Sequence, residues 1–472
     1  MTDTLGTTAP LVAESEAAPP AGAVDSPRAL TRSIGVVGGT LLTLSCLTPA
    51  STLFVIVPPF FADLGTGTAL TIGIAAVLCI AVAFCYSELG TLVPSAGGEY
   101  AMVGTLLGRM SGWLVFVLSL IVVMIVPPII ALGTADYLAP LFHVSAPLAG
   151  AAVMLLATVM GLFDLRANAW ITGIFLALEV IAAAGVAFLG FSHVSRSPSV
   201  LVHPVVGTGA GTGTSPLTAA AVIAGLALAL FVLQGFSTAV YLSEEMEQPH
   251  RTVPRTVMWT LAIGALVIIV PTVAITLGAP DLATLTQGNL AAMVQAWSDS
   301  AVGTFISLCI ALAIINAGIV MVIQNSRVLY ASARDRAWPT PVNRALSVLG
   351  KRYGSPWIAT LLVGVPGAVL CFVPVDTLSG VTGVAVAALY LVVAVTALAA
   401  RRKPSEGRHV WRMPLWPAVP IVLVVVLGYV LTQQTAKDLL ITGSVIALAC
   451  LYWLLYLRPR RADRWVIVLP ED

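Results

Sequence analysis

The sequence predicts an all-α integral membrane protein of about twelve spans. Three observations carry that prediction: the composition, the recurrence of apolar stretches of bilayer length, and a one-sided distribution of basic residues. Hydrophobic residues make up 58% of the 472 and charged residues 10%, against about 45–50% and about 25% in typical soluble domains. No water-soluble core requires that much apolar surface. With 23 basic and 22 acidic side chains the net charge is +1, and nothing in that balance calls for a nucleic-acid partner.

A helix needs about 20 residues to cross hydrocarbon. After Arg32 such stretches recur at 34–60, 68–92, 112–135, 147–163, 168–191, 219–243, 256–279, 300–330, 356–374, 377–400, 415–433 and 438–457. Residues 1–33 hold Glu14, Glu16, Pro19 and Pro20 among many Ala and Thr. They lack apolar periodicity and the basic-then-apolar order of a signal peptide, and are expected to form a disordered cytoplasmic tail. Basic residues near span ends are retained in the cytoplasm. With these spans only Arg196 and Lys437 face outward, while the remaining 21 of 23 face inward. Both termini are therefore expected in the cytoplasm, and the protein in the plasma membrane, in contact with lipid. The Gly-, Ser- and Thr-rich connection 193–218 falls on the outside.

The six cysteines, Cys46, Cys79, Cys85, Cys309, Cys371 and Cys450, all lie inside apolar runs, and the five histidines all fall in polar connections. No disulfide framework, metal site, cofactor or catalytic constellation is expected from such a placement. An integral-membrane enzyme would want clustered His, Asp, Glu or Cys near one interface.

Two spans are expected to break. Span one contains Ser45-Cys46-Leu47-Thr48-Pro49-Ala50-Ser51-Thr52 at roughly mid-depth, where proline removes a backbone hydrogen bond. Span six carries Gln234-Gly235-Phe236-Ser237 at a similar depth, a glycine that weakens helical continuity. Interrupted helices at matching positions of two halves point to an inverted-repeat transporter with its site at the midplane. A proline kink and a packing notch are the plain alternative. Pro127-Pro128 should likewise kink span three.

Three blocks of residues then resemble a known family. Tyr86-Ser87-Glu88-Leu89-Gly90 with Pro94-Ser95-Ala96-Gly97-Gly98-Glu99-Tyr100 is similar to the span-two-to-three signature of amino acid permeases of the amino acid–polyamine–organocation superfamily. Gly235-Phe236 with Glu244-Glu245-Met246-Glu247-Gln248-Pro249 and Arg251-Thr252-Val253-Pro254-Arg255 resembles its span-six exit, and Ser326 to Asp335 with Pro339 and Gly354-Ser355-Pro356 resembles the end of span eight. The resemblance implies two five-helix repeats of opposite topology with discontinuous helices one and six, plus two C-terminal helices. It divides the chain into 34–200, 219–400 and 401–472. It also implies that Glu88, Glu244, Glu245, Arg327 and Asp335 serve cytoplasmic gate and loop-packing networks.

The family's span one usually carries a Gly-Ser-Gly-like segment whose bare amides cradle a substrate carboxylate. Here Ala50-Ser51-Thr52 follow Thr48 and Pro49. Hydroxyls can still bind an anion at a half-helix N-terminus, but the loss of both glycines leaves amino acid and amine substrates open. The resemblance places an aromatic at Phe231 that closes over the substrate, while Gln234, Gly235, Phe236 and Ser237 border the break.

Glu179 lies eleven residues, about 16 Å, from Asn168 at the start of span five, near the bilayer midplane. An ionised carboxylate there is expensive, and must be protonated, paired or bound to a cation. Some sodium-independent relatives carry a lysine near this point, so the charge is reversed. Glu179 is expected to couple transport to protons, with sodium or a substrate ammonium, or a purely structural carboxyl, as the other readings. Asn316 in span eight is the other polar residue at depth, for a coupling cation or an interhelical hydrogen bond. The function expected is a permease moving a small amino acid, by proton symport or exchange. An amine or polyamine permease, or a transport-inactive nutrient receptor, stands as the alternative, and the oligomeric state stays open.

Overall fold

The computed structural model describes residues 32–95, 97–139, 141–163, 165–207, 213–350, 354–401 and 410–467, without the side chains of 165–172 and 300. The tail 1–31, Ala96 and the Asn168 side chain lie outside that description. Helices dominate, and the chain is an all-α multi-span membrane protein. Among the described residues nine helical segments are long and apolar enough to cross a membrane, and Ala146–Gly161, Trp357–Leu370 and Ala418–Thr432 are shorter apolar helices.

Span one is split into half-helix 1a, Val36–Leu47, and half-helix 1b, Pro49–Val55, followed by a short helix Val57–Leu64. Span two is Thr68–Leu92. A short helix, Gly98–Leu107, leads into span three, Arg109–Leu132. Span three runs unbroken through Pro127 and Pro128. Spans four and five are Ala146–Gly161 and Leu165–Ser192. Span six divides into 6a, Ala219–Val232, and a 3₁₀ stretch 6b, Phe236–Leu242. Spans seven, eight, nine and ten are Pro249–Gly278, Ser300–Arg334, Trp357–Leu370 and Val375–Ala400, and eleven and twelve are Ala418–Thr432 and Ala436–Tyr452. The connection after span five carries a small hairpin, Val205–Gly207 against Thr214–Pro216.

Both breaks have a backbone cause. Thr48 sits in the left-handed region at φ 42°, ψ 61°, ending 1a with its N–H on the Leu44 carbonyl, and Pro49 opens 1b. Proline cannot donate to the Ser45 carbonyl one turn back, so the ladder is interrupted there. Gly235 takes φ +129° between 6a and 6b, a conformation that L residues rarely adopt. The two breaks touch: a Cβ on Gly235 would lie 2.8 Å from Leu47 Cα.

The starts and ends of these pieces are also joined. Ser33 and Ile34 donate backbone N–H groups to the Glu245 carbonyl, each at 3.0 Å, and Glu247 N–H returns to the Ile34 carbonyl. Half-helices 1a and 6b are thereby tied as one unit at the end of the bundle that carries Arg32 and Arg334.

That same end is closed by the segment after span twelve. Trp465 is fully buried, its ring 5.2 Å from Tyr100 and Trp113 and 5.5 Å from Phe116. Its indole N–H donates to the Arg109 carbonyl at 3.1 Å. Val466 N–H donates to the Asp335 carbonyl. The segment after span twelve is thus packed over spans three and eight as far as Ile467, because its aromatic and aliphatic residues find an apolar pit there.

Candidate functional site

Half-helix 1b presents its first turn to span five. Thr48, Ala50, Ser51 and Thr52 are all buried. Glu179, 1% exposed, accepts a hydrogen bond from Ser51 Oγ on its Oε1 at 3.3 Å. Its Oε2 has no partner among the described residues. Three buried hydroxyls beside the breaks, Thr48 Oγ1, Ser237 Oγ and Thr260 Oγ1, share that state. Unmade hydrogen bonds of buried polar atoms cost about 1–3 kcal/mol each; Thr40, Thr134, Thr256, Ser307, Tyr390 and Thr442 elsewhere in the bundle also lack a partner among the described residues. Thr52 is different, with Oγ1 turned onto the Leu47 carbonyl at 3.3 Å.

On span six, Phe231 and Phe236 are buried and Gln234 is half-buried. Phe236 meets the Tyr86 ring edge-on at 6.1 Å and the Tyr390 ring at 6.1 Å. The aromatic triad forms the floor under the break on the Arg334 side. Asn316 is buried on span eight, and no hydrogen bond joins it to Glu179 or span one among the described residues. Toward the opposite end, a cavity of about 540 Å³ lies against the far turns of 1b, bordered by Phe54, Asp136, Tyr137 and Asn289.

The residues assigned to gates fall at the Arg334 end. Glu88 is the acceptor of a bidentate pair with Arg401, Nε to Oε1 at 2.8 Å and Nη2 to Oε2 at 3.0 Å. Arg412 and the Met413 backbone N–H add to it at 3.4 and 2.9 Å. Asp335 accepts from the Tyr100 hydroxyl at 2.6 Å, and burial raises its carboxyl above the usual range against that bond. Arg327 lies in the last turns of span eight at the same end. Glu244 is half-buried beyond 6b.

Glu179 is not the sole buried carboxylate. Glu88 and Glu99 are equally enclosed, and Glu99 was visible in the sequence only as one letter of a motif. Its three hydroxyl partners come from Tyr86, Ser119 and Tyr241, too far apart along the chain for any spacing rule to collect.

A helical membrane protein with polar breaks facing each other across spans one and six is matched by one family description, amino acid permease, over residues 33–456. The chain belongs to the amino acid permease family. Its superfamily is the amino acid–polyamine–organocation one. The permease is 25% identical over 420 residues to the methylthioribose transporter of Bacillus subtilis, covering 84% of this chain and 87% of that one. It is 22% identical over 453 residues to the branched-chain amino acid permease BcaP of the same organism, covering 90% and 94%. Against the human large neutral amino acids transporter small subunit 2 the figures are 24% over 344 residues, 69% and 62%. The permease is accordingly a multi-pass transporter of amino acids or related substrates, in a family of carriers rather than enzymes.

Proposed function

We propose that the permease moves a small amino acid across the plasma membrane by alternating access, with Glu179 as the proton-coupling group. One observation carries this reading: Glu179 is held to half-helix 1b by Ser51 on one oxygen while its other oxygen is buried without a partner among the described residues. A lone carboxylate in that position needs a proton or a cation. When 1b tilts, the Ser51 bond is the one that must break, so charge state and helix position are linked. Thr48, Ser51, Ser237 and Gln234 supply polar groups to the substrate, and Phe231 and Phe236 supply its apolar walls. Relatives named for branched-chain and large neutral amino acids support an apolar side chain.

In this reading the repeats are 34–200 and 219–400, with 401–472 accessory, and both termini are cytoplasmic because the basic residues crowd that end. The experiment is uptake into proteoliposomes under an imposed pH gradient, without sodium. Glu179→Gln should retain exchange of labelled for unlabelled amino acid yet lose gradient-driven accumulation. Accumulation by the variant at the wild-type level would sink the coupling role. Setting leucine beside its decarboxylated amine in the same assay decides between amino acid and amine.

A further inference from the structure

Glu99 belongs to no part of the mechanism above, and its surroundings are more specific than those of Glu179. It stands on the short helix Gly98–Leu107 and is 3% exposed. Tyr86 of span two donates its hydroxyl to Oε1 at 2.7 Å. Ser119 of span three and Tyr241 of 6b donate to Oε2 at 2.9 and 3.3 Å. Among the described residues no Lys, Arg or His forms an ion pair with it. The titratable groups facing it are phenols: Tyr86 on span two, Tyr241 on 6b and Tyr390 on span ten. On its own helix stands Tyr100, with Asp335, Arg334 and Glu244 beyond that ring.

Every one of its hydrogen bonds is therefore donated to it by a neutral hydroxyl. An ionised carboxylate is an acceptor only and suits such a cage, whereas a protonated one carries a donor of its own. Protonation removes the charge that strengthens these bonds and leaves the three hydroxyls on a weaker, neutral acceptor. The weakest of the three is the 3.3 Å bond to Tyr241, the only one that reaches 6b. Tyr241 also lies flat on Gly98, where an added Cβ would come within 2.5 Å of its ring, so that contact is shape-fitted but not tethered. Half-helices 1a and 6b are joined through Ile34 and Met246, and what releases 6b releases both.

We propose that Glu99 is the latch of the cytoplasmic gate: as a carboxylate it holds Tyr241, and with it the 1a–6b pair, closed against spans two and three, and a proton arriving on its Oε2 frees them. This rests on the alternating-access reading above, but not on Glu179 or on the substrate.

Cys46 reports the gate, because it sits on 1a against Gln324 of span eight, in the seam that opens when 1a swings away. The full-length protein in lipid nanodiscs is treated with a membrane-impermeant maleimide, and alkylation at Cys46 is resolved from the other cysteines by peptide mass spectrometry. Glu99→Gln and Tyr241→Phe should each raise the Cys46 rate about fivefold, the factor that one ordinary hydrogen bond commands. As pH is lowered, the wild-type Cys46 rate should rise toward that of Glu99→Gln measured at the same pH, the comparison cancelling the thiol's own titration. Rates within twofold of wild type in both variants, or an identical pH profile in Glu99→Gln, overturn the latch. Where Glu99→Gln does not fold, Ser119→Ala removes one donor and should loosen Cys46 in the same direction, while an unchanged rate there counts against the proposal. A working latch with no pH-driven accumulation would indict the transport reading alone, and a flat alkylation result beside the expected Glu179→Gln phenotype would indict the latch alone.

Discussion

Leu47 and Gly235 meet backbone to backbone at the two helix breaks, with only a missing Cβ between them: one built on Gly235 would stand 2.8 Å from Leu47 Cα and 2.9 Å from its Cβ. The ends of 1a and 6b therefore cannot slide independently, and are fixed together at this point and again at Ile34 and Met246.

Gly235→Ala should be severe. The positive φ alone costs about 1–3 kcal/mol for a residue with a Cβ, and the collision with Leu47 adds to it. Thermal unfolding in detergent should fall and uptake should vanish. Trimming the neighbour in a Gly235→Ala, Leu47→Ala double variant should not restore either, since the Leu47 Cα remains; recovery in the double variant would show that the side chain alone was the obstacle.

Arg401 and Arg412 both approach Glu88 but should differ sharply. Arg401 is 23% exposed at 2.8 Å and Arg412 48% exposed at 3.4 Å. Removing the enclosed partner strands a buried carboxylate, at about 3–5 kcal/mol, whereas an exposed, long pair is worth less than about 1 kcal/mol. Chemical or thermal unfolding of Arg401→Ala and Arg412→Ala should rank them in that order, and equal effects would mean that the Met413 N–H, not the guanidinium, holds Glu88.

Asp335 makes stability depend on pH in an unusual direction. Burial raises its carboxyl in the folded protein, so the fold binds the proton more tightly than the unfolded chain does. That contribution is complete below about pH 4, the ordinary aspartate value, and is lost as pH rises through the raised folded value. Wild type should gain melting temperature relative to Asp335→Asn as pH falls from 8 to 5. A gap that is constant, or that widens with alkali, would show the Tyr100 bond and the nearby Arg334 outweighing burial.

The spans and their breaks were legible because hydropathy, proline and glycine act locally: a 20-residue apolar run or a missing N–H at Pro49 needs no knowledge of distant chain. The Ser51 to Glu179 contact was half legible, since depth could be counted along span five but the facing residue could not. The Arg401 partner of Glu88 lies 313 positions away, and the donors to Glu99 come from three separate helices. Such convergence is a property of packing, for which one sequence carries no period. The packing of segment 458–467 was not legible, because the single Trp465 that anchors it carries no pattern.

Trp465 follows all twelve spans, yet it fills the space between residues of the short helix before span three, of span three itself and of the turn after span eight. The pit that the earlier helices build is thus filled by a residue that follows them all in the chain. Tyr100, Trp113 and Phe116 therefore owe part of their cover to a single indole that none of their own helices supplies.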